Sequence, residues 1–496
     1  MHSISKLFLA TAISVLVFAL LLKTSLWSTF LTSLLKFGWP ADHNNDPQPT
    51  WSFPPALGPP TSTLATKTFG TPPVSVLSPL EATSTQRPSG SSPSSSSPTD
   101  SPIPLPSVST MGGGDGYRSV AYFTNWGIYG RQYDPSKIPA DKLTHILYSF
   151  GDNRDDGTVI LTDVWSDKDK HYPGDSWNDQ GNNLYGNLKQ INLLKKKHRN
   201  LKLLLSIGGW TYAHEQKHFD GPASTPAGRT NFANSCVQMI KDYGFDGIDI
   251  DWEYPQNPEQ GEQLFLLLAE IRHAMDAYAN TITSGSARPH FDLSIAAPAG
   301  EQNYKNLPLA KIASTVDFIN LMGYDFAGSW DRNTGHQANL FHSKHCPSCT
   351  PFNIDSVIRD YENNGVPCDK VVLGMPLYGR AFTNTTGIGE PFSGIGEGSF
   401  ENGIWDFKAL PRPGATEHYD HETGASYSYD NATRTLISYD TVDMAKRKAA
   451  WIKQRNLGGA MWWELSGDRE DDSGSIITNV SLPLPPPVPT SSACVL

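Results

Sequence analysis

Between residues 118 and 465 the apolar positions fall in short β-branched runs separated by longer stretches of helical spacing. The runs are RSVAYFT (118–124), THILYSF (144–150), LKLLLSIGG (201–209), GFDGIDIDWE (244–253), HFDLSIAA (290–297), VDFINLMGYD (316–325), KVVLGMPLYG (370–379) and GGAMWWEL (458–465). Helical spacing shows at 183–198, where Leu184, Leu188, Ile191 and Leu194 recur every three or four residues, and again at 228–243, 261–278 and 441–456. Eight mostly buried strands alternating with helices predict an α/β protein, a (β/α)8 barrel. The longest interval, between the seventh and eighth runs, holds aromatic strand-like pieces (SYSYD, TLISY) and many glycines. It predicts a small α+β insertion domain over 383–438, which splits the barrel into 117–382 and 439–480.

The fourth run is unusual. Asp249, Asp251 and Glu253 alternate with Ile248, Ile250 and Trp252, a two-residue period that puts three acids on one face of a strand. In a barrel that face points inward, and Glu253, the last of the three, reaches the C-terminal rim where barrel enzymes do chemistry. Crowded carboxylates cannot all ionise cheaply, so at least one pKa should rise. A carboxylic acid still protonated near neutral pH is what general-acid catalysis needs. A calcium site is the competing reading, but calcium prefers oxygen ligands from a flexible loop. Glycoside cleavage usually takes two carboxylates on opposite sides of the bond. Asp251 lies on the same side as Glu253, which leaves two sources of a nucleophile: Asp325, at the end of the sixth run, or an N-acetyl group of the substrate itself. Trp252, on the opposite face, is expected to pack against the helices.

Outside this region the composition changes. Residues 7–22, LFLATAISVLVFALLL, begin a long apolar stretch with no small-x-small cleavage site after it. This favours a type II signal anchor over 1–37, with a cleaved secretory signal as the alternative, and either places the rest outside the cytosol. Residues 38–116 are rich in Pro, Ser and Thr and predict a disordered stalk; 481–496 predict a disordered tail. The formal charge of −11 without a basic stripe argues against a nucleic-acid partner. Five cysteines are too few for a disulfide-built scaffold. Cys346-Pro-Ser-Cys349, with His342 and His345 nearby, raises a zinc site, but in an oxidising compartment a local disulfide or a bridge to Cys368 is preferred. The sequons at Asn384, Asn431 and Asn479 fit that compartment. No cofactor or metal is expected, membrane contact is expected only through the N-terminal segment, and a monomer is expected.

Several runs carry motifs. DGIDIDWE (246–253) resembles the signature of the family-18 glycoside hydrolases, chitinases and their relatives. SIGGW (206–210), MGYDFAGSW (322–330), GMPLYGRAF (374–382) and GGAMWWELSGD (458–468) are similar to the family's motifs on strands three, six, seven and eight. The insertion resembles that of the bacterial-type, deep-groove branch. The resemblance implies that Glu253 protonates the glycosidic oxygen. Asp251 would orient the attacking acetamido group, Asp249 would tune Asp251 beside Ser206, and Tyr324 would bond the acetamido carbonyl. Trp463 would floor the pocket. Met322, Asp325, Tyr378 and Arg380 would line the groove with Tyr122, Phe150, Gly209, Trp210 and Tyr254, while Trp126 and Trp330 would be stacking platforms. Flat aromatic walls suit the apolar C–H faces of sugars. For Trp405, in the insertion, wall and core are equally open. The implied substrate is a β-1,4-linked N-acetylglucosamine polymer, chitin. The alternatives are an endo-β-N-acetylglucosaminidase acting on N-glycans and a chitin-binding lectin on the same barrel.

Overall fold

The computed structural model describes residues 116–283, 288–480 and Leu482. The expected anchor, and all but the margins of the expected stalk and tail, lie outside the described residues. Among those described, no helix is long and apolar enough to cross a membrane.

In chain order the strands are β1 (Arg118–Thr124), β2 (His145–Asn153), β3 (Val159–Leu161), β4 (Lys202–Gly208), β5 (Gly247–Asp251), β6 (Asp292–Pro298), β7 (Phe318–Met322), β8 (Val371–Pro376), β9 (Tyr378–Phe382), β10 (Ile404–Asp406), β11 (Thr416–Asp420), β12 (Ala425–Asp430), β13 (Thr435–Ser438) and β14 (Gly459–Trp463). All but β3 and β9–β13 pair in parallel in the order β1-β2-β4-β5-β6-β7-β8-β14, and β14 closes on β1. This is a (β/α)8 barrel whose strands coincide with the eight predicted runs, mostly shortened at their ends. Helices lie at Gly186–Lys197, Pro226–Tyr243, Pro258–Thr281 and Val442–Gln454, each within a few residues of its predicted span. Leu309–Thr315 and Ile354–Asn363 add helices the spacing analysis did not mark.

Several helix starts are written locally. Thr225, Asn257, Asn353 and Thr441 stand before their helices, and each side chain accepts a hydrogen bond from a backbone N–H of the first turn (2.9–3.2 Å). Pro226 and Pro258 follow two of these caps, where the missing N–H costs nothing.

Two apolar clusters divide the barrel. One fills its interior with Val120, Tyr122, Leu147, Phe150, Leu204, Phe318, Val372 and Met461. The other lies between strands and helices and includes Ile248, Ile250 and Trp252. Trp252 is buried and stacks on Phe219, with ring centroids 5.2 Å apart, as its outward register predicts.

A second, antiparallel sheet, β10-β9-β13-β12-β11, stands on the rim. Its first strand begins at Tyr378, so the predicted seventh run divides between the two sheets. Leu377 donates its N–H to the Trp463 carbonyl, but Tyr378 already pairs with Asp406 of β10. The buried Gln337, in the segment after β7, ties this sheet down by donating to the carbonyls of Tyr378 (2.8 Å) and Ser438 (2.9 Å). Cys346 and Cys349 form a disulfide, the local one of the two expected pairings, and Cys368 is free.

The strongest tie at this junction is ionic. Lys448, fully buried, gives its three ammonium protons to both oxygens of Asp440 (2.8 and 2.6 Å) and to the Ala338 carbonyl (2.5 Å). Burial pushes the Asp440 carboxyl up and the Lys448 amine down, and only their pairing opposes it. Removing one partner strands a buried charge, so Asp440→Ala is expected to destabilise the domain by about 3–5 kcal/mol in urea unfolding. A loss below about 1 kcal/mol, the range of exposed ion pairs, would contradict this role.

Candidate active site

Register carries the acids inward. Asp249 lies level with Ser206 on β4 and Ser294 on β6, and Asp251 with Gly208 on β4. Asp249 is fully buried with four donors. Its Oδ2 accepts from Tyr122 Oη (3.1 Å) and Ser206 Oγ (2.8 Å), its Oδ1 from Ser294 Oγ (2.6 Å) and Asn320 Nδ2 (3.2 Å). Burial raises its pKa and the hydroxyl and amide donors pull it back. Ser294 and Asn320 did not emerge from the sequence reading. Their signal was available: both are polar residues at inward positions of buried strands, where only a polar partner makes them tolerable.

Asp251, one step closer to the rim, is 4% exposed, and its Oδ1 has no hydrogen-bond partner among the described residues. Burial pushes its pKa well up, helped by the negative charges of Glu253 and Asp249. Glu253 follows β5 and is half-buried, so its carboxyl is at the mouth. Burial raises it to about 7, a hydrogen bond from Tyr254 opposes the rise, and the charge of Asp325 adds to it. The sequence pattern attributes the shift to carboxylate crowding; the larger cause is removal from water.

Two glycines make room. Gly208 and Gly209 have φ of +114° and +83°. A Cβ on Gly208 would come within 2.2 Å of the Asp251 carbonyl oxygen, and one on Gly209 within 2.6 Å of the Phe150 ring. Gly209 thus serves the site by letting Phe150 in.

The aromatic residues form a continuous row. Trp463, half-buried at the end of β14, meets Tyr122 edge-on (5.2 Å) and stacks with Phe150 (5.8 Å), which in turn meets Trp126 (6.1 Å). Tyr324 packs against the same interior cluster and meets Tyr378 at 6.2 Å. Its phenol is raised first by burial, then by the charges of Asp251 and Asp325. Asp325 Oδ1 accepts from Tyr378 Oη and Arg380 Nε, both at 2.5 Å. The Arg380 guanidinium lies over the Trp330 ring at 4.7 Å. The predicted residues therefore group as a carboxyl column, an aromatic floor and an Asp325–Tyr378–Arg380–Trp330 side. Met322 ends β7, and Trp210 stacks on His214 (4.0 Å) in the turn after β4. Trp405 lies beneath the Arg412 guanidinium (4.0 Å) and packs partly into the strand–helix core.

Since Asp325 raises the Glu253 pKa, removing that charge must lower it. Any activity that needs protonated Glu253 is lost as pH rises through its pKa. The alkaline limb of kcat/KM is therefore expected near pH 7 in the native protein, and at lower pH in Asp325→Asn. A limb that stays in place or moves upward in the variant would contradict this electrostatic link.

Residues 118–468 match the profile described as Glycosyl hydrolases family 18. The chain is 52% identical over 378 residues to Endochitinase 1 of Metarhizium robertsii, an alignment covering 76% of this chain and 88% of that protein. It is 50% identical over 366 residues to Chitinase 1 of Aphanocladium album, covering 74% and 85% respectively. Among solved structures, the catalytic domain of a psychrophilic chitinase B from Arthrobacter TAD20 superposes with a TM-score of 0.67 at 31% identity, covering 74% of this chain and 94% of that one. The carboxyl column, the aromatic floor and the barrel that holds them are thus those of a chain that belongs to family 18 of the glycosyl hydrolases.

Proposed function

We propose that this protein is a chitinase that hydrolyses β-1,4-linked N-acetylglucosamine polymers with retention of configuration, using the substrate's own acetamido group as nucleophile. The observation that carries the reading is a carboxyl raised to about 7 at an open barrel mouth, directly above a buried carboxyl with an unpartnered oxygen. The chitinase names of the relatives support the substrate class.

Glu253 holds a proton at near-neutral pH and gives it to the glycosidic oxygen. Asp251 Oδ1 is the acceptor that an acetamido N–H requires; an oxygen buried without a partner is costly until that bond forms. With its N–H held, the acetamido carbonyl oxygen attacks the anomeric carbon from below and displaces the leaving sugar as Glu253 releases its proton. Glu253, now a carboxylate, takes a proton from the water that opens the cyclic intermediate. Tyr324, kept as a neutral phenol, donates to the acetamido oxygen. Trp463, Phe150 and Trp126 offer their faces to the sugar rings.

Asp325 is a poor alternative nucleophile, because one of its oxygens carries both the Arg380 and Tyr378 bonds. The lectin reading requires the acid to be missing, and Glu253 is present. The rim sheet supports a deep groove that holds several sugars.

On a fluorogenic chitotrioside, Glu253→Gln is expected to lower kcat by about 10²–10⁴-fold, the usual weight of one general acid. Asp251→Asn should be comparably impaired, and both variants should still bind chitooligosaccharide with unchanged circular dichroism. A thiazoline analogue of the cyclic intermediate is expected to inhibit competitively. Equal turnover in Glu253→Gln would end the enzymatic reading. Indifference to the thiazoline would return the nucleophile to Asp325.

A further inference from the structure

Only Pro347 and Ser348 separate Cys346 from Cys349, so their disulfide closes a very short loop. Such a bridge removes less entropy from the unfolded chain than one that closes a long loop. Its contribution therefore lies mainly in what it touches. Cys349 is buried and Cys346 half-buried, and the two residues between them are exposed.

A strap of the rim insertion, residues 387–391, lies on the bridge. Gly389 has φ of +81°, and a Cβ there would stand 2.5 Å from the Cys346 sulfur and 2.7 Å from the Cys349 sulfur. Glycine lets the strap lie this close to both. The strap in turn grips residues 333–336. Thr334 donates its N–H to the Glu390 carbonyl (2.9 Å) and its hydroxyl to the Gly387 carbonyl (2.7 Å), and its own carbonyl accepts from the Gly389 N–H (3.1 Å). Asn333 Nδ2 donates to the Gly389 carbonyl (2.9 Å). The bridge also holds this stretch directly, because the Cys349 carbonyl accepts from the His336 N–H (2.8 Å).

That stretch is the returning limb of the loop that carries Trp330. The loop starts just after Asp325 and closes at its base, where Phe326 donates to the Gln337 carbonyl (3.0 Å). At its tip a Cβ on Gly328 would fall within 2.4 Å of the Trp330 ring, so the indole lies over the glycine, with the Arg380 guanidinium 4.7 Å from the ring. Trp330 is still 37% exposed, which leaves ring surface for a ligand.

Resting on the proposed activity, we infer that the Cys346–Cys349 disulfide is a positioning element of the cleft: it seats the 387–391 strap, and the strap fixes the loop that presents Trp330 to an N-acetylglucosamine oligomer. The bridge touches no substrate and leaves proton transfer to Glu253. It sets how tightly the sugar chain is held on the Trp330 side. An indole fixed before binding gives up less freedom when the sugar arrives.

The test is a split between binding and chemistry. The full chain carrying C346S/C349S is compared with wild type on chitohexaose. KM is expected to rise about fivefold, within the range of one aromatic contact, with kcat unchanged. Trp330→Ala should raise KM by a similar factor, and adding C346S/C349S to it should cost nothing more, because both act through one ring. Should the serine variant fold poorly, folded wild type treated with dithiothreitol gives the same readout. The dithiol passes two electrons and two protons to the bridge and leaves as a cyclic disulfide. The rise in KM should then appear with an unchanged circular dichroism spectrum and reverse on reoxidation. An unchanged KM in the variant or in the reduced protein would overturn the inference, as would additive losses in the combined variant. A lowered melting temperature with KM unchanged would assign the bridge to stability alone. If wild type neither cleaves nor binds chitohexaose, the proposed function itself fails; a wild type that does both, matched by its variants, refutes only the seat.

Discussion

The whole site depends on taking one carboxyl group partly out of water while keeping it within reach of a ligand. A free glutamic acid is ionised at neutral pH and has no proton to give. At the mouth of this barrel Glu253 is shielded enough that burial outweighs the opposing bond from Tyr254. Its position follows from alternation on one strand. Asp249 lies deepest and is fully hydrogen-bonded, Asp251 comes next with one oxygen unpartnered, and Glu253 stands at the rim. Both outer acids have fewer hydrogen-bond partners than Asp249, and exposure rises from one step to the next.

The rest of the fold keeps that column in place. The neighbouring strands present Ser206 and Ser294 level with Asp249, and Tyr122 of β1 and Asn320 of β7 reach the same carboxyl, so four donors offset its burial. Gly208 and Gly209 let the backbone of β4 and the ring of Phe150 approach closely, which sets the aromatic floor beside the acids. On the rim, Gln337 and the Lys448–Asp440 pair clamp the second sheet to the barrel, and Asp325 gathers Tyr378 and Arg380 into the wall that faces Glu253. The peptide bonds after Ser149, within β2, after Glu253, just past β5, and after Trp463, at the end of β14, are cis.

Much of this was legible in the sequence because the barrel repeats one rule. Strands buried on both faces read as apolar runs, and any acid in such a run declares its direction through the two-residue period. That places Asp249, Asp251 and Glu253 without coordinates. Ends of elements were less legible: the seventh run looks continuous through Gly379, yet Tyr378 leaves the barrel because its pairing partner becomes Asp406. Partners from distant strands were harder still. Ser294 and Asn320 meet Asp249 only when the barrel closes, across 45 and 71 residues of chain.

The central claim concerns a proton, and it is tested most directly by watching that proton. Carboxyl ¹³C NMR of selectively labelled protein, with Glu253→Gln to assign the resonance, reports the titration of Glu253 itself. The account predicts a midpoint near 7 in the unliganded native protein. A midpoint at the ordinary glutamate value of about 4.3 would leave the group ionised when its proton is needed, and would contradict the account.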